Sequence, residues 1–252
     1  MNGYVAFLKK EFTENMKNYR FLILFAVFLI FGLTSPFLAK FMPEILSAVA
    51  EEMQMSSAPV ALDAWEQFYK NISGVGFSAF IILFGSCMSG EYSKGTLVLL
   101  LTKGLPRSAV IFAKYTVAAV LMTVCYWAGF FATYCYTSYL WPDAALSNVF
   151  SAAFFLWLIG FLYLSVLLLG CVMFKQTFTG ILFTGGLVAV ISLLGLAEPL
   201  AHFNPFLLTS KNVDLISGAA SASEFLIPAM VSAVITVVGL WSAVLVFDRK
   251  QL

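Results

Sequence analysis

The sequence predicts an all-α polytopic membrane protein, and three observations carry that reading. The composition is 61% apolar and 11% charged, with a mean hydropathy of +0.93, well outside the range of soluble globular chains. Six apolar runs reach about the 20 residues that a helix needs to cross roughly 30 Å of hydrocarbon. They cover residues 21–39, 72–89, 109–140, 146–174, 177–196 and 225–247. The runs are continuous and rich in Phe, Leu, Ile and Val, whereas barrel strands alternate over stretches of about ten residues, so helices are the expected spanning structure.

Taken in order, the chain opens with Val5, Leu8, Phe12, Met16 and Tyr19 at helical spacing and Lys9, Lys10, Glu14 and Lys17 on the other faces. This is the pattern of an amphipathic elbow helix lying in the membrane interface over residues 1–20. The run at 21–39 follows that segment, and no small-x-small cleavage pattern stands near Ser35 and Pro36, so it is expected to be a retained span. Residues 40–71 form the longest polar segment, acidic and broken by Pro43, Pro59 and the Ser56/Ser57 pair. They are expected to be an outer loop, with the pattern of a short amphipathic helix at 44–55.

Residues 90–108 are the polar and basic interruption between the second and third runs, expected to be a cytoplasmic loop and docking element. Residues 141–147 hold Pro142 and Asp143 in a tight outer turn, and the chain reverses within a few residues between Lys175 and Thr177. Residues 197–224 carry Glu198-Pro199, Asn204-Pro205 and Gly218, the punctuation of an extracellular re-entrant stretch with short helical pieces. The runs at 109–140 and 146–174 are near thirty residues long and need tilt to fit a bilayer. Glycines at 129, 160, 170, 180, 185 and 186 offer small surfaces where helices pack closely. The whole of residues 1–252 reads as one transmembrane domain without an internal repeat.

Charge gives the orientation. Eleven of the fourteen basic residues fall in the N-terminal segment, the 90–108 interruption and its flank, the turn at Lys175, and the C-terminal Arg249 and Lys250. The opposite side holds Lys40, Lys70 and Lys211 together with nine of the thirteen acids. Loops that retain Lys and Arg stay in the cytoplasm, so both termini are expected inside a multi-pass plasma-membrane protein. The basic residues flank spans at headgroup level, where anionic lipid attracts them, so no nucleic-acid partner is expected.

With Lys114 assigned to the inner loop, the runs contain no Asp, Glu, Lys, Arg or His, which argues against ion-coupled transport within this chain. The single histidine, His202, cannot build an HExxH zinc site, and a Ser or Cys nucleophile would lack its base. Cys87, Cys125, Cys135 and Cys171 all lie in apolar runs and suggest no disulfide framework or metal set. Residues 90–96, GEYSKGT, have glycine spacing close to a phosphate-binding loop but lack the Lys-Ser/Thr pair that follows the second glycine. The chain is therefore expected to be no enzyme and to bind no cofactor, metal or nucleotide of its own.

The interruption reads Glu91, then Gly95-Thr96-Leu97, Leu99-Leu100, Pro106-Arg107 and Lys114. In this pattern the chain resembles an ABC-2 type transporter permease, the membrane subunit of an ATP-binding cassette exporter. Asn204-Pro205-Phe206 resembles the family's outer motif, and residues 104–108, GLPRS, depart from its more usual Pro-Ile/Val-Ser-Arg order. The resemblance implies a half-transporter that pairs with a second permease copy or paralogue and docks its coupling helix into a separate ABC ATPase subunit, which binds the ATP. The implied docking residues are Glu91, Lys94, Gly95, Thr96, Leu97, Leu99, Leu100, Lys103, Pro106 and Arg107. Leu97, Leu99, Leu100 and Leu101 would form an apolar plug, and Lys94, Lys103 and Arg107 a charged rim. With 26 Phe, 10 Tyr and 5 Trp, the expected cargo is hydrophobic or amphipathic: a peptide, lipid-like molecule or drug. The alternative is an ATP-independent secondary carrier, whose broken helices can hold sodium on backbone carbonyls, or a membrane assembly factor.

Overall fold

A computed structural model describes residues 3–49, 59–102, 104–144, 146–174, 176–195 and 202–250. Every regular element among the described residues is a helix. The elements are α1 (Gly3–Lys17), α2 (Arg20–Val49), α3 (Ala61–Asn71), α4 (Phe77–Phe84), α5 (Ser89–Lys94) and α6 (Thr96–Thr102). They continue with α7 (Arg107–Leu140), α8 (Val149–Met173), α9 (Thr177–Leu194), α10 (Leu207–Ser210), α11 (Asn212–Ser217) and α12 (Leu226–Arg249). Six stretches are long and apolar enough to cross a membrane: Arg20–Met42, Ala61–Tyr92, Arg107–Leu140, Val149–Met173, Thr177–Leu194 and Ala222–Arg249. The protein is an all-α polytopic membrane protein.

The polar segment at 40–71 is not the loop that its composition suggests. Helix α2 runs on to Val49, and α3 starts at Ala61, with the Asp63 carboxylate accepting a hydrogen bond from the Val60 amide at 2.9 Å. Of the helix expected at 44–55, residues 44–49 belong to α2 and the rest lie outside the described residues. Ala61, Ala64, Trp65, Phe68, Tyr69 and Ile72 are buried along one face of α3. That i, i+3, i+4, i+7 spacing is a core-facing helix whose other face carries the charges. A five-residue π-helical turn, Ile72–Gly76, joins α3 to α4, so the second span is one long helix with a wide turn in its middle.

Helices α7 and α8 form the centre and α9 the periphery: the apolar core of α8 is 72% buried, that of α7 61% and that of α9 only 11%. Helix α2 packs along α7, and α12 along α8. The first contact depends on glycine. A Cβ on Gly32 would stand 2.5 Å from the Gly129 carbonyl oxygen, and one on Gly129 would stand 2.7 Å from the Phe28 carbonyl oxygen. The two backbones touch there, and the Thr133 hydroxyl seals the contact by donating to the Gly32 carbonyl at 3.0 Å. Around it lie Phe28, Phe77, Tyr126, Trp65 and Phe130, with the buried Tyr126 hydroxyl donating to the Ala153 carbonyl at 2.7 Å.

Both termini meet at one end of the bundle. Gly3 lies against Leu105, and the Arg107 guanidinium donates to the carbonyls of Phe247, Asp248 and Lys250. The other end, called the far end below, carries α3, α10 and α11. Short helices with buried Leu208, Asn212, Leu215 and Ile216 pack there on α8 and α3; residues 196–201 lie outside the described residues.

Candidate functional site

Helix α1 orients the site. The apolar residues at helical spacing, Val5, Phe12, Met16 and Tyr19, are exposed and turned away from the bundle, where a bilayer would cover them. The face that packs inward, mainly on α7, is Phe7, Glu11 and Asn15, so this helix buries a carboxylate and leaves its apolar stripe for lipid. Tyr19, with a φ of 56°, makes the turn into α2.

Glu11 is buried because its partners are. Lys114 stands in α7, two turns from its start, with a side chain only 3% exposed. Its Nζ lies 3.0 Å from Glu11 Oε2 and 3.2 Å from Glu91 Oε2. This corrects the assignment of Lys114 to a loop: the third apolar run does contain a buried cation. Lys10 closes the ring from the other side, its Nζ 2.6 Å from Glu91 Oε1 and 2.9 Å from both Glu11 Oε1 and Glu14 Oε2. Both ammoniums sit over the ring of the buried Phe7, 5.2 and 5.7 Å from its centroid. The carboxylates of Glu11, Glu14 and Glu91 converge within 4.8 Å, the donor set a hard cation would use, and the Lys10 ammonium fills that place.

Two ammoniums against three carboxylates leave one negative charge in excess, and Arg20 stands beside them, donating to Asn15 Oδ1 at 3.3 Å and Ser86 Oγ at 2.7 Å. Burial opposes charging of Lys10, but the hydrogen bonds that its ammonium donates to Glu91, Glu11 and Glu14 hold it well above the usual lysine range. Burial likewise works against the Glu14 carboxylate, yet Lys10, with Lys114 and Arg20 behind it, keeps it below the usual glutamate range. A cavity of about 1270 Å³ opens beside this node, walled by α1, the Ser86–Glu91 stretch, α6 and the turn at Gln176 and Thr177.

Between Glu91 and Arg107 the described residues form the short helices α5 and α6. Gly95 at φ 64° ends α5 and Gly104 at φ 84° follows α6, both in the left-handed region that side chains avoid. Of the ten residues expected on a docking surface, Glu91 and Leu97 point inward, at 5% and 1% exposure. Leu100, Leu101 and Leu105 are half-buried against the core. Arg107 is turned toward the end of α12, its guanidinium over the Phe247 ring as well as on the carbonyls. Gly95, Thr96 and Pro106 are exposed. Lys94 and Leu99 lie in α5 and α6 by backbone only, and Lys103 is outside the described residues.

Sequence reasoning named Glu91 but not the residues that hold it. A lone lysine eight positions inside an apolar helix was the available signal, since an intramembrane cation demands a partner; the Phe7, Glu11, Asn15 periodicity was the other.

The profile described as ABC-2 family transporter protein matches residues 5–252. The chain belongs to the ABC-2 transporter family. It is also 24% identical over 152 residues to the uncharacterized transmembrane protein YxlG of Bacillus subtilis (strain 168), a match covering 59% of each chain. As an ABC-2 family member the chain is a membrane protein of a transporter family.

Proposed function

We propose that this ABC-2 family chain is the permease subunit of an exporter: two permeases line the path, and a separate ABC ATPase, closing on ATP, drives a hydrophobic or amphipathic cargo outward. The observation that carries this reading is the tie between the 89–107 segment and the helices around it. Glu91, on α5, is ion-paired to Lys10 on α1 and to Lys114 on α7. Arg107 joins the same segment to the end of α12. Force applied to the segment by a partner therefore reaches the elbow helix, a central span and the last span together, as a gating element requires.

The docking surface in this reading is the exposed side of the segment, Gly95, Thr96 and Pro106; the buried Glu91 and Leu97 hold its shape. Both termini face the cytoplasm, in line with the basic bias of that end. Substituting Thr96→Asp or Pro106→Asp is expected to abolish co-purification with the co-expressed ATPase while leaving the permease's melting temperature unchanged. Retention of the ATPase with full ATP turnover in both variants would refute the docking surface.

A further inference from the structure

The four cysteines are free thiols, and two of them meet. Cys87 stands in the turn at residues 85–88 that joins α4 to α5, and Cys171 lies two residues from the end of α8. Their side chains are in hydrogen-bond contact. We propose that Cys87 and Cys171 form a reversible redox site, at which a peroxide converts the two thiols into a disulfide that staples the second span to α8.

Three observations carry this. The first is how the contact is held. The Cys171 thiol donates to the Gly85 carbonyl at 3.1 Å, so its sulfur rests on the same turn that carries Cys87. Behind it, a Cβ on Gly180 of α9 would stand 3.4 Å from the Cys171 sulfur, and one on Gly170 would stand 2.9 Å from the Gly180 carbonyl oxygen. Close-packed backbone thus crowds the sulfur toward the turn. The second is access. Cys171 is 3% exposed, but Cys87 is half-buried and lines the cavity of about 1270 Å³ beside the charge node, which Cys125 and Cys135 do not. The third is charge. Lys114 and Arg20 act on the Cys87 sulfur, opposed by Glu11, and the Arg20 guanidinium donates to Oγ of the adjacent Ser86 at 2.7 Å. Partly exposed thiols beside such cations are the reactive ones, because the thiolate is the nucleophile.

The Cys87 thiolate attacks one peroxide oxygen, the O–O bond breaks and hydroxide leaves, so that the sulfur becomes a sulfenic acid, oxidised by two electrons. Cys171 then attacks that sulfur, an S–S bond forms, and the sulfenic oxygen departs as water with the Cys171 proton. Hydrogen peroxide thereby takes up two electrons and both thiol protons and ends as two waters. A small dithiol reverses the change by exchange, and in a reducing compartment the bond is transient, as a sensor's is. While it lasts, it ties the turn four residues ahead of Glu91 to the end of α8. Oxidation of the pair stands by itself; its effect on transport rests on the exporter reading, since the disulfide immobilises the segment which that reading moves.

The test adds hydrogen peroxide to the purified full chain in nanodiscs, denatures it, blocks free thiols with N-ethylmaleimide and reads the digested peptides by mass spectrometry. The Cys87–Cys171 cross-linked peptide should form at least tenfold faster than any oxidation of Cys125, and dithiothreitol should remove it. Cys171→Ser should stop at a Cys87 sulfenic acid that dimedone traps, and Cys87→Ser should leave Cys171 reduced. No cross-link in a chain that melts as the untreated one does, or dimedone on Cys171 in place of Cys87, would overturn the site. With the co-expressed ATPase bound, peroxide should lower ATP turnover several-fold in the wild type and leave Cys87→Ser unchanged. A fully cross-linked chain with undiminished turnover refutes the hold on transport. A reduced chain that binds no ATPase refutes the exporter reading and leaves the redox site, which the cross-linked peptide alone decides.

Discussion

Replacing Lys114 by methionine keeps the length of the side chain and removes one charge from the node beneath α1. Lys114 is 3% exposed, and it contacts Glu11 at 3.0 Å and Glu91 at 3.2 Å, carboxylates whose own side chains are 6% and 7% exposed. At an effective dielectric near 20 each contact is worth roughly 4–5 kcal/mol of Coulomb attraction, most of which offsets the cost of removing these groups from water. Taking away one partner leaves the others buried and short of countercharge. Lys10, 42% exposed, would then face three carboxylates with only Arg20 behind it. The expected loss is about 3–5 kcal/mol, which for a chain of this size lowers the melting temperature by about 6–20 °C. Glu91→Gln should cost less, about 1–2 kcal/mol, because Lys10 keeps Glu11 and Glu14 as partners and Lys114 keeps Glu11. The double variant Lys114→Met/Glu91→Gln should melt above Lys114→Met alone, since one stranded carboxylate is gone. Thermal unfolding followed by intrinsic fluorescence in detergent measures all three. A Lys114→Met protein melting within 2 °C of wild type, or a double variant no better than the single, would show that the node is solvated and that the charge count does not govern it.

Gly129→Ala should destabilise the α2–α7 contact by about 1–3 kcal/mol, because its Cβ would stand 2.7 Å from the Phe28 carbonyl oxygen, a backbone atom that moves only with its helix; melting again reads it. Arg107→Ala removes the donors to the carbonyls of Phe247, Asp248 and Lys250, and trypsin should then cleave after Arg249 at least several-fold faster with the bundle otherwise intact. The seating of α1 should depend on pH with a definite sign. Glu14 is held below its usual range, so its contribution is full above about pH 4.3 and is lost as pH falls through its lower folded value; Lys10 is held above its range, so its contribution is full below about pH 10.4 and is lost only as pH rises beyond it. A spin label at Thr13 should therefore be immobile from about pH 5 to 10 and become mobile first on the acid side.

The six spans were legible because twenty apolar residues in a row admit few structures. Helix α1 was legible as a helix, but not in the direction it faces: its apolar stripe points to lipid, and only the pairing of Glu11 with Lys114, 103 positions away, turns it. Such pairings leave no trace in local periodicity. Helix α3 is a different case. Its apolar residues stand at helical spacing from Ala61 to Ile72, yet the charges of Asp63, Glu66 and Lys70 on the opposite face gave the stretch the average composition of a loop. Glu91 was picked out by its place ahead of Gly-Thr-Leu; that it is buried follows from two lysines, one of them assigned to the wrong element. The cavity at the far end of the bundle, between α3, α8, α9, α10 and α11, had no signal in the sequence, because its walls come from four separate stretches.

The grip of Arg107 on the carbonyls at 247, 248 and 250 also sets an order of events in biosynthesis. The segment that begins α7 emerges from the ribosome and enters the membrane some 140 residues before the carbonyls it needs have been made. Until then its guanidinium has no seat, and the 89–107 segment is held by the Glu91 pairs to Lys10 on α1 and Lys114 on α7. A nascent or truncated chain thus carries a segment without its tie to the last span, so that full seating of Arg107 reports that the last span has been inserted.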